Sequence, residues 1–414
     1  MTKPPSKNPL KHLRPSDLRG IAQLATDATT SVARIAEGVH QSVWDTLGVA
    51  GRAPGQTGGI TGFVYQAVQG VTQLLGQGAD TLLATLQTRM ESKQGAEPAT
   101  PQREAALAVL NGVMGDRLVA SKNPLATPMT LRHQGAALNW ETHPAGLQPK
   151  LLLMLHGLCM NDLQWTAQHQ GQAVNHGETL ATALGYTPIY LRYNSGRHVS
   201  QNGRELAEQL EQLVQHWPQP LEEISVVAHS MGGLLIRSAL HVARQQALSW
   251  PGKLKNIVFL GTPHHGAPLE RAGNWLDTLL GSTPYTAPLA QLGKLRSPGV
   301  TDLRYGLVLD EDWHGRDRFE RAHDQRAPVP LPEGVACYAV AATLAGKRSA
   351  LADRLIGDGL VPLRSALGQH DEAQRCLVFA KDSQRIVYRT GHMELLSRPE
   401  VTQQLLHWLA PLAA

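Results

Sequence analysis

A serine near the middle of the chain lies between a strand-like run and a helix-like run. An apolar, β-branched run over 224–227 precedes the sequence AHSMGG at 228–233, and a helical pattern follows it. A serine on such a strand-to-helix corner can present its hydroxyl to a carbonyl carbon. The corner needs small residues two positions before and after the serine, and here they are Ala228 and Gly232. Ser230 is therefore the candidate nucleophile; the alternative is a serine that only caps the following helix.

A serine hydroxyl is a weak nucleophile until a base removes its proton, and the base needs an acid to orient it. Asp358 lies on a glycine-flanked turn after an apolar strand-like run, and His392 lies on the loop that opens the last helix. Asp353 is close enough in sequence to be the acid instead. His370 and His407 also follow Asp358, but neither lies at the carboxyl end of a predicted strand. Asp358 and His392 are the preferred acid and base.

Attack on a carbonyl creates a negatively charged oxygen, which backbone N–H donors can stabilise. The short apolar strand 150–155 ends in His156, Gly157 and Leu158, and the glycine allows the loop to turn in towards the serine. The expected donors are the backbone N–H groups of Leu158 and of Met231, the residue after the serine. The sequence therefore predicts an oxyanion site beside Ser230.

Five short motifs together resemble those of serine esterases and lipases of the α/β-hydrolase superfamily. They are HGL at 156–158, AHSMGG at 228–233, GTPHHG at 261–266, DGLVP at 358–362 and GHMELL at 391–396. The GTPHHG motif looks like the GTPH loop of bacterial lipases and of membrane-lipid deacylases. The resemblance covers about residues 125–412. It implies the α/β-hydrolase fold, a Ser-His-Asp triad, cleavage of acyl esters through an acyl-enzyme, and no cofactor.

Several histidines lie beside these motifs. His156 and Gly157, His229, and His264 or His265 are assigned to the substrate-binding surroundings of the site. The histidines are expected to support their loops through hydrogen bonds rather than to transfer protons. A metal site is not predicted, because no carboxylate accompanies them at a regular spacing.

Composition limits the remaining classes of function. Of the 414 residues, 42% are hydrophobic and 5% aromatic, and the formal net charge is +4. Basic residues are scattered among acidic ones, so no nucleic-acid partner is predicted. No run approaches the roughly 18 apolar residues of a membrane span. The three cysteines, Cys159, Cys337 and Cys376, indicate neither a disulfide framework nor zinc, and the last two fall in apolar patterns that predict buried thiols.

The chain is expected to have two parts. Residues 1–100 form an N-terminal helical region and linker, because apolar residues recur at steps of three and four over 21–43 and 64–86, which predicts a helical hairpin. The hairpin is expected to pack on the rest of the chain or on a second copy; the alternative is peripheral contact with a lipid or polymer surface. The N-terminus is basic and lacks an apolar signal segment, and the sequence opens with Met1, so a cytoplasmic protein is expected.

Residues 101–414 are predicted to form an α/β-hydrolase catalytic domain, a mostly parallel sheet with helices on both faces. Strands are expected at 129–132, 151–155, 188–192, 224–228, 257–260, 335–342 and 376–380, with a further extended segment at 385–389. A short helix from Gln102 is expected to end before Gly115, and another helix spans 202–217. Residues 267–332, after the sixth strand, are predicted to form a cap or lid over the acyl pocket.

The predicted function is hydrolysis of carboxylic esters with an apolar acyl part, such as lipid or fatty-acyl esters. The same site could serve an acyltransferase, a thioesterase or an intracellular polyester depolymerase. In a different class, the chain would be a non-catalytic scaffold that binds a surface through its helical hairpin.

Overall fold

The computed structural model describes residues 14, 16–17, 19–20, 23, 100–139, 146–267, 297–316, 324–346 and 357–411. These residues fall into two compact units, one up to residue 127 and one from residue 128 onward. Apart from Gln23, the predicted hairpin segments lie outside the described residues, as does most of the linker. The predicted domain boundary after residue 100 stays a prediction.

The first unit contains helix α1 (Pro101–Ala120). Its start follows from the sequence: Thr100 Oγ1 accepts the N–H of Arg103 at 3.4 Å, and proline occupies the first helical position. The helix is longer than expected and continues through Gly115, with an interruption at Met114 (φ −140°, ψ 22°). A small apolar cluster lines the helix: Leu110, Met114, Leu118 and Leu125.

The second unit is built on strands. Its strands within the described residues are β1 (Thr130–His133), β2 (Ala136–Ala137), β3 (Lys150–Leu155), β4 (Thr166–His169), β5 (Gln172–Asn175), β6 (Tyr186–Arg192), β7 (Glu223–His229), β8 (Leu254–Leu260), β9 (Ala336–Thr343) and β10 (Gln384–Tyr388). Eight of them form one sheet in the order β10-β9-β8-β7-β3-β6-β1-β2, and β4 and β5 form a separate hairpin. The pairings from β10 to β6 are parallel, and β1 and β2 are antiparallel. The predicted α/β fold class with a mostly parallel sheet is confirmed.

Within the described residues, the α-helices of this unit are α2 (His176–Leu184), α3 (Val199–His216), α4 (Met231–Gln245), α5 (Pro298–Tyr305), α6 (Leu363–Ala366) and α7 (Pro399–Leu409). One face of the sheet packs in a cluster with residues of α2 and α7, including Leu152 and Met154 of β3. Leu151 and Leu153 alternate with them on the other face and are equally inaccessible to solvent. Both faces are therefore covered, which explains why the strands read as continuous apolar runs.

The predicted strand 376–380 is wrong. Residues 376–380 belong to no strand, and Val378 is 86% exposed. This segment would have to pair with the free edge of β9, but β10 already occupies that edge. β10 begins at Gln384, shortly after the segment. Leu377 and Phe379 are buried nonetheless, so the apolar pattern came from packing rather than from pairing. The cysteine expectation also changes, since Cys337 and Cys376 are only partly buried.

The predicted insertion falls between β8 and β9, and part of it is described. Helix α5 belongs to it, and its residues Val300 and Leu303 are buried. Gly299 lies so close to the backbone of Ser195 that a side chain there would collide with it. The apolar residues Trp275, Leu276, Leu279 and Leu280 lie outside the described residues, and the role of the insertion as a lid stays a prediction. None of the helices in the described part of the chain has the length and apolar content that a bilayer span requires.

Candidate active site

Ser230 lies on the corner between β7 and α4. Its backbone has φ 53° and ψ −121°, a conformation that costs a non-glycine residue about 1–3 kcal/mol. The corner is held by a hydrogen bond from the Ser230 N–H to the carbonyl of Leu260, at 2.8 Å. The sequence predicted crowding between Ala228 and Gly232, but the closest approach is elsewhere: a Cβ at Gly232 would lie 2.5 Å from the carbonyl oxygen of Leu155. Glycine is thus required where α4 passes the end of β3.

His392 and Asp358 form a buried pair. The Nδ1 atom of His392 lies 2.7 Å from Oδ2 of Asp358, and each side chain is only 1% exposed. The other carboxylate oxygen, Oδ1, accepts the backbone N–H groups of Leu360 at 2.9 Å and Val361 at 2.7 Å. A further bond runs from the His392 N–H to the Asp358 carbonyl at 3.0 Å. The carboxylate is therefore fully oriented before any substrate arrives.

The hydrogen bonds of this pair assign the tautomer of His392. Because Oδ2 of a carboxylate can only accept, Nδ1 carries the proton and Nε2 keeps a free lone pair. Nε2 is buried and has no partner within the described residues, so its hydrogen bond to Ser230 is not formed here. Both residues nevertheless adjoin the end of β8: Leu260 binds Ser230, and a Cβ on Gly261 would lie 3.1 Å from Cε1 of His392. Such bonds often tighten only when substrate binds.

The loop after β3 approaches the serine closely. A Cβ on Gly157 would lie 3.0 Å from the Cβ of Ser230, so this position also needs glycine. In the described part of the chain, no hydrogen bond uses the N–H of Leu158. Met231 is the first residue of α4, and N–H groups in the first turn of a helix have no partner inside the helix. Both predicted oxyanion donors are thus free to bind a substrate oxygen.

His156 supports this loop through hydrogen-bond and stacking contacts. Its Nδ1 lies 2.8 Å from the Gly157 carbonyl, and its ring stacks on that of Tyr193 with centroids 4.3 Å apart. The Tyr193 hydroxyl donates to the His156 carbonyl at 3.0 Å. Burial lowers the pKa of His156 to about 4, so the ring is neutral at pH 7. These contacts suit a structural support and not a proton carrier.

His229 and the pair His264–His265 occupy different places. The ring of His229 lies 4.7 Å from that of His392, and its Nε2 lies 3.3 Å from the His392 carbonyl. Burial, with a smaller contribution from the charge of His392, lowers the pKa of His229 well below its usual value. His264 and His265 instead line a cavity with Arg237, and none of Ser230, Asp358 or His392 lines that cavity.

Further residues connect the loops of the site, and the sequence did not predict this role for them. Cys159 has φ 58°, and its N–H donates to Oγ of Ser195 at 3.0 Å. Ser195 thereby joins the loop after β3 to the segment after β6, where Tyr193 also lies. Their position just beyond a predicted strand was the available signal, because loops at the carboxyl ends of parallel strands meet at one edge of the sheet.

The structure describes two of the three alternative residues for the acid and the base. Asp353 lies outside the described residues. His370 lies 3.7 Å from Asp324 and faces the ring of His265, and His407 lies on α7. Within the described ranges, no group of three or more His, Cys, Asp or Glu side chains is arranged to bind a metal ion.

Because buried histidines with lowered pKa values resist protonation, we expect the fold to lose stability in acid. Burial lowers the pKa of His176 to about 4, while its Nδ1 and Nε2 contact Thr402 Oγ1 and the Leu395 carbonyl, both at 2.9 Å. The unfolded chain takes up this proton near pH 6.5, so the free energy of unfolding should fall between pH 6.5 and 4 by about 3 kcal/mol for this group. Urea denaturation across this range should show the loss. A His176→Gln variant should be less stable at pH 7 but lose less on acidification; an unchanged pH dependence would contradict the assignment.

A family model described as a domain of unknown function (DUF7379) matches residues 98–300. No match was found among the curated proteins. Many solved structures are similar to this chain, and three of them are described here. The mature form of the Bacillus licheniformis lipase BlEst2 is similar at 19% identity with a TM-score of 0.41, over 68% of this chain and 98% of that chain.

The second is Aspergillus fumigatus lipase B, at 11% identity with a TM-score of 0.38, over 93% of this chain and 83% of that chain. The third is an α/β hydrolase superfamily protein from Enterococcus faecalis, at 15% identity with a TM-score of 0.38, over 68% of this chain and 94% of that chain. The activities in these names are those of the other proteins.

Proposed function

We propose that the chain is a serine hydrolase that cleaves carboxylic esters, with Ser230 as nucleophile, His392 as base and Asp358 as the orienting acid. The observation that carries the proposal is the buried His392–Asp358 pair, at 2.7 Å, whose geometry leaves Nε2 of His392 with a free lone pair. A fully buried imidazole with one nitrogen held by a carboxylate and the other unpartnered is suited to accept a proton from a nearby hydroxyl.

In this mechanism the Ser230 hydroxyl attacks the ester carbonyl while Nε2 of His392 takes its proton. Asp358 keeps the proton of the neutral ring on Nδ1 and stabilises the imidazolium that forms. The N–H groups of Leu158 and Met231 bind the oxyanion, a contribution of about 3 kcal/mol for each donor. The imidazolium then protonates the departing alcohol. Water, deprotonated by the same imidazole, attacks the acyl-enzyme, and the imidazolium returns that proton to Oγ of Ser230 as the acid leaves.

The proposed substrate has an apolar acyl part, as in a lipid or fatty-acyl ester. Two sequence features support this choice: the GTPHHG motif at 261–266, and the apolar residues of the insertion that begins at Ala267. The insertion is proposed to cover the acyl pocket. Its described part is anchored, because Asp302 of α5 accepts the Val199 N–H at 2.7 Å and lies 3.0 Å from Nδ1 of His198.

The test combines covalent labelling with turnover. Full-length protein is incubated with a fluorophosphonate, and mass spectrometry locates the adduct, which is expected on Ser230 alone. In parallel, p-nitrophenyl esters of increasing acyl length are assayed for nitrophenol release. A Ser121→Ala variant is the matched control, because Ser121 lies at the end of α1 and should affect neither result.

The outcomes separate the alternatives. No nitrophenol release together with an unlabelled Ser230 would overturn the proposal and favour a surface-binding scaffold. Labelling with preferential transfer of the acyl group to an added alcohol or amine would indicate an acyltransferase. Preference for thioesters or for polymer granules would indicate a thioesterase or a polyester depolymerase on the same residues.

A further inference from the structure

A cavity beside the GTPHHG loop contains an unusual concentration of cationic and imidazole groups. The cavity is partly open to solvent, and its lining includes Arg237, His264, His265, Asp312 and Arg326. All of these residues belong to the second unit. The residues proposed above for ester cleavage do not line it, so the cavity requires an explanation of its own.

Arg237 is the central group. It lies on α4, is only 6% exposed, and donates from Nη2 to the carbonyl of Val329 at 2.6 Å. Its Nε and Nη1 atoms are buried and have no hydrogen-bond partner within the described residues. Burial lowers the pKa of Arg237 to about 10, so the guanidinium remains charged at neutral pH. A buried charge without a hydrogen-bonded counterion is strongly unfavourable, so the guanidinium is suited to bind an anion through its two unpartnered nitrogens.

The nearest candidate counterion, Asp312, is otherwise engaged. One of its carboxylate oxygens accepts the N–H groups of Val308 and Leu309, each at 3.0 Å, and the other accepts the N–H of Ala327 at 3.3 Å. No ion pair joins Asp312 to Arg237 in the described part of the chain. The carboxylate of Asp312 therefore holds the surrounding loops, and although its charge raises the pKa of Arg237, it forms no ion pair with the guanidinium.

The second carboxylate, Asp324, is committed to other arginines. It binds Arg326 at 2.6 Å and Arg375 at 3.5 Å. Burial would raise the pKa of Asp324, but the hydrogen bonds and charge of Arg326 outweigh it and lower that pKa to about 2. Arg375 is also paired with Glu372, at 3.0 Å, so carboxylates neutralise both Arg326 and Arg375. Among the arginines of the cavity wall in the described residues, Arg237 is the one that forms no ion pair.

The two histidines add donors to the same space. Both ring nitrogens of His264 and both of His265 are buried without a partner among the described residues. Burial lowers the pKa of His265 to about 4 and that of His264 well below its usual value, so both rings are neutral at pH 7. A neutral imidazole carries one N–H donor. Nε and Nη1 of Arg237 carry three N–H groups between them, so with one on each imidazole the cavity offers five unused N–H groups.

We propose that this cavity binds a small oxyanion, a carboxylate or phosphate group, through Nε and Nη1 of Arg237 and the ring N–H groups of His264 and His265. A guanidinium presents two parallel N–H groups that match the paired oxygens of such anions. The cavity volume of about 20 Å³ has room for little more than one water-sized group, so the anion would enter with one or two of its oxygens, and a long acyl chain is excluded. The anion is either a free molecule or the charged end of a substrate.

Binding is tested first on the whole protein without reference to hydrolysis. Inorganic phosphate or acetate is titrated at constant ionic strength against chloride, while the Tm and the NMR signals of labelled histidines are followed. A ligand that binds only the folded state raises the Tm with its concentration. Wild-type protein should show a saturable rise in Tm of a few degrees and saturable shifts of the His264 and His265 signals. If neither anion shifts these signals in wild-type protein, the proposal is overturned.

Variants locate the effect. An Arg237→Gln protein should lose the rise in Tm and the shifts, whereas Arg364→Gln should keep both, because Arg364 is more exposed and pairs with Asp371. If Arg237→Gln does not fold, Arg237→Lys keeps the charge but not the paired donors, and at least a tenfold weaker affinity is expected. Equal affinity in wild type and in a folded Arg237 variant would also overturn the proposal.

A second arm distinguishes the source of the anion. An ester whose acyl chain ends in a carboxylate is compared with its methyl-ended counterpart in wild type and Arg237→Gln. If the anion is part of the substrate, the variant should raise KM for the charged ester alone, and phosphate should compete with that ester. If the anion is a free molecule, phosphate should bind without changing this preference. The binding arm needs no turnover, so failure of the proposed hydrolase function would leave it interpretable.

Discussion

Replacement of Ser230 by alanine should lower kcat for ester hydrolysis on the order of 10⁶-fold, and the oxyanion donors and substrate binding should keep the residual rate roughly 10³–10⁴-fold above the uncatalysed reaction. Alanine removes the only atom that forms the covalent intermediate and should leave the backbone corner, with its bond to Leu260, in place. The assay is nitrophenol release at saturating ester, after circular dichroism and thermal unfolding have shown that the variant folds as the wild type does.

Two variants complete the test of Ser230. Ser121→Ala should retain full activity, which would show that the loss in Ser230→Ala is not a general effect of replacing a serine. Ser230→Cys keeps a nucleophile at the same corner, so it should retain slow turnover and become sensitive to thiol-alkylating reagents. If Ser230→Ala kept even a tenth of the wild-type rate, the nucleophile would have to be another residue.

Replacement of Asp358 by asparagine should lower kcat about 10⁴-fold. The structure explains why an almost isosteric change is so damaging. Oδ1 of Asp358 accepts two backbone N–H groups, from Leu360 and Val361, so the carbonyl oxygen of an asparagine must occupy that position. Its NH₂ group is then forced to face Nδ1 of His392. The imidazole must accept there and carry its proton on Nε2, the wrong tautomer for a base.

The tautomer can be measured separately from the rate. In ¹⁵N-labelled protein, the two ring nitrogens of His392 should exchange their protonated and unprotonated signals between wild type and Asp358→Asn. Asp353→Asn is the informative control, because Asp353 is the competing acid in the sequence; it should keep wild-type activity. The reverse result, with Asp353→Asn inactive and Asp358→Asn active, would transfer the role to Asp353.

The sheet could be predicted because its strands are buried on both faces. Apolar runs such as 151–155 and 224–228 have no polar alternation and match β3 and β7 to within a residue or two. Helix α2 and the β4–β5 hairpin were missed, since neither has a long run of one period. The error at 376–380 has a related cause, because an apolar pattern reports burial and not hydrogen-bonded pairing. Only the sheet order shows that β10 already occupies the edge of β9.

The candidate site was predictable in its residue types but not in its supports. Ser230 and His392 lie just beyond the ends of β7 and β10, and Asp358 lies on the segment that follows β9, where parallel strands bring loops together. The sequence could not reveal that Ser195 holds the loop of Cys159, because the two are 36 residues apart and joined by one side chain. Nor could it separate His264 and His265 from the other histidines. Their partner Arg237 lies within a helix and looks like an ordinary surface arginine.

The positive φ of Ser230 has a consequence for laboratory evolution. Glycine tolerates this backbone geometry at little cost, so it would relieve strain that serine must bear. A screen for heat resistance alone, with no demand for turnover, is therefore expected to enrich Ser230→Gly. The most heat-resistant variants from such a screen would therefore be inactive. A screen that aims to stabilise this chain has to measure heat resistance and hydrolytic activity in the same round.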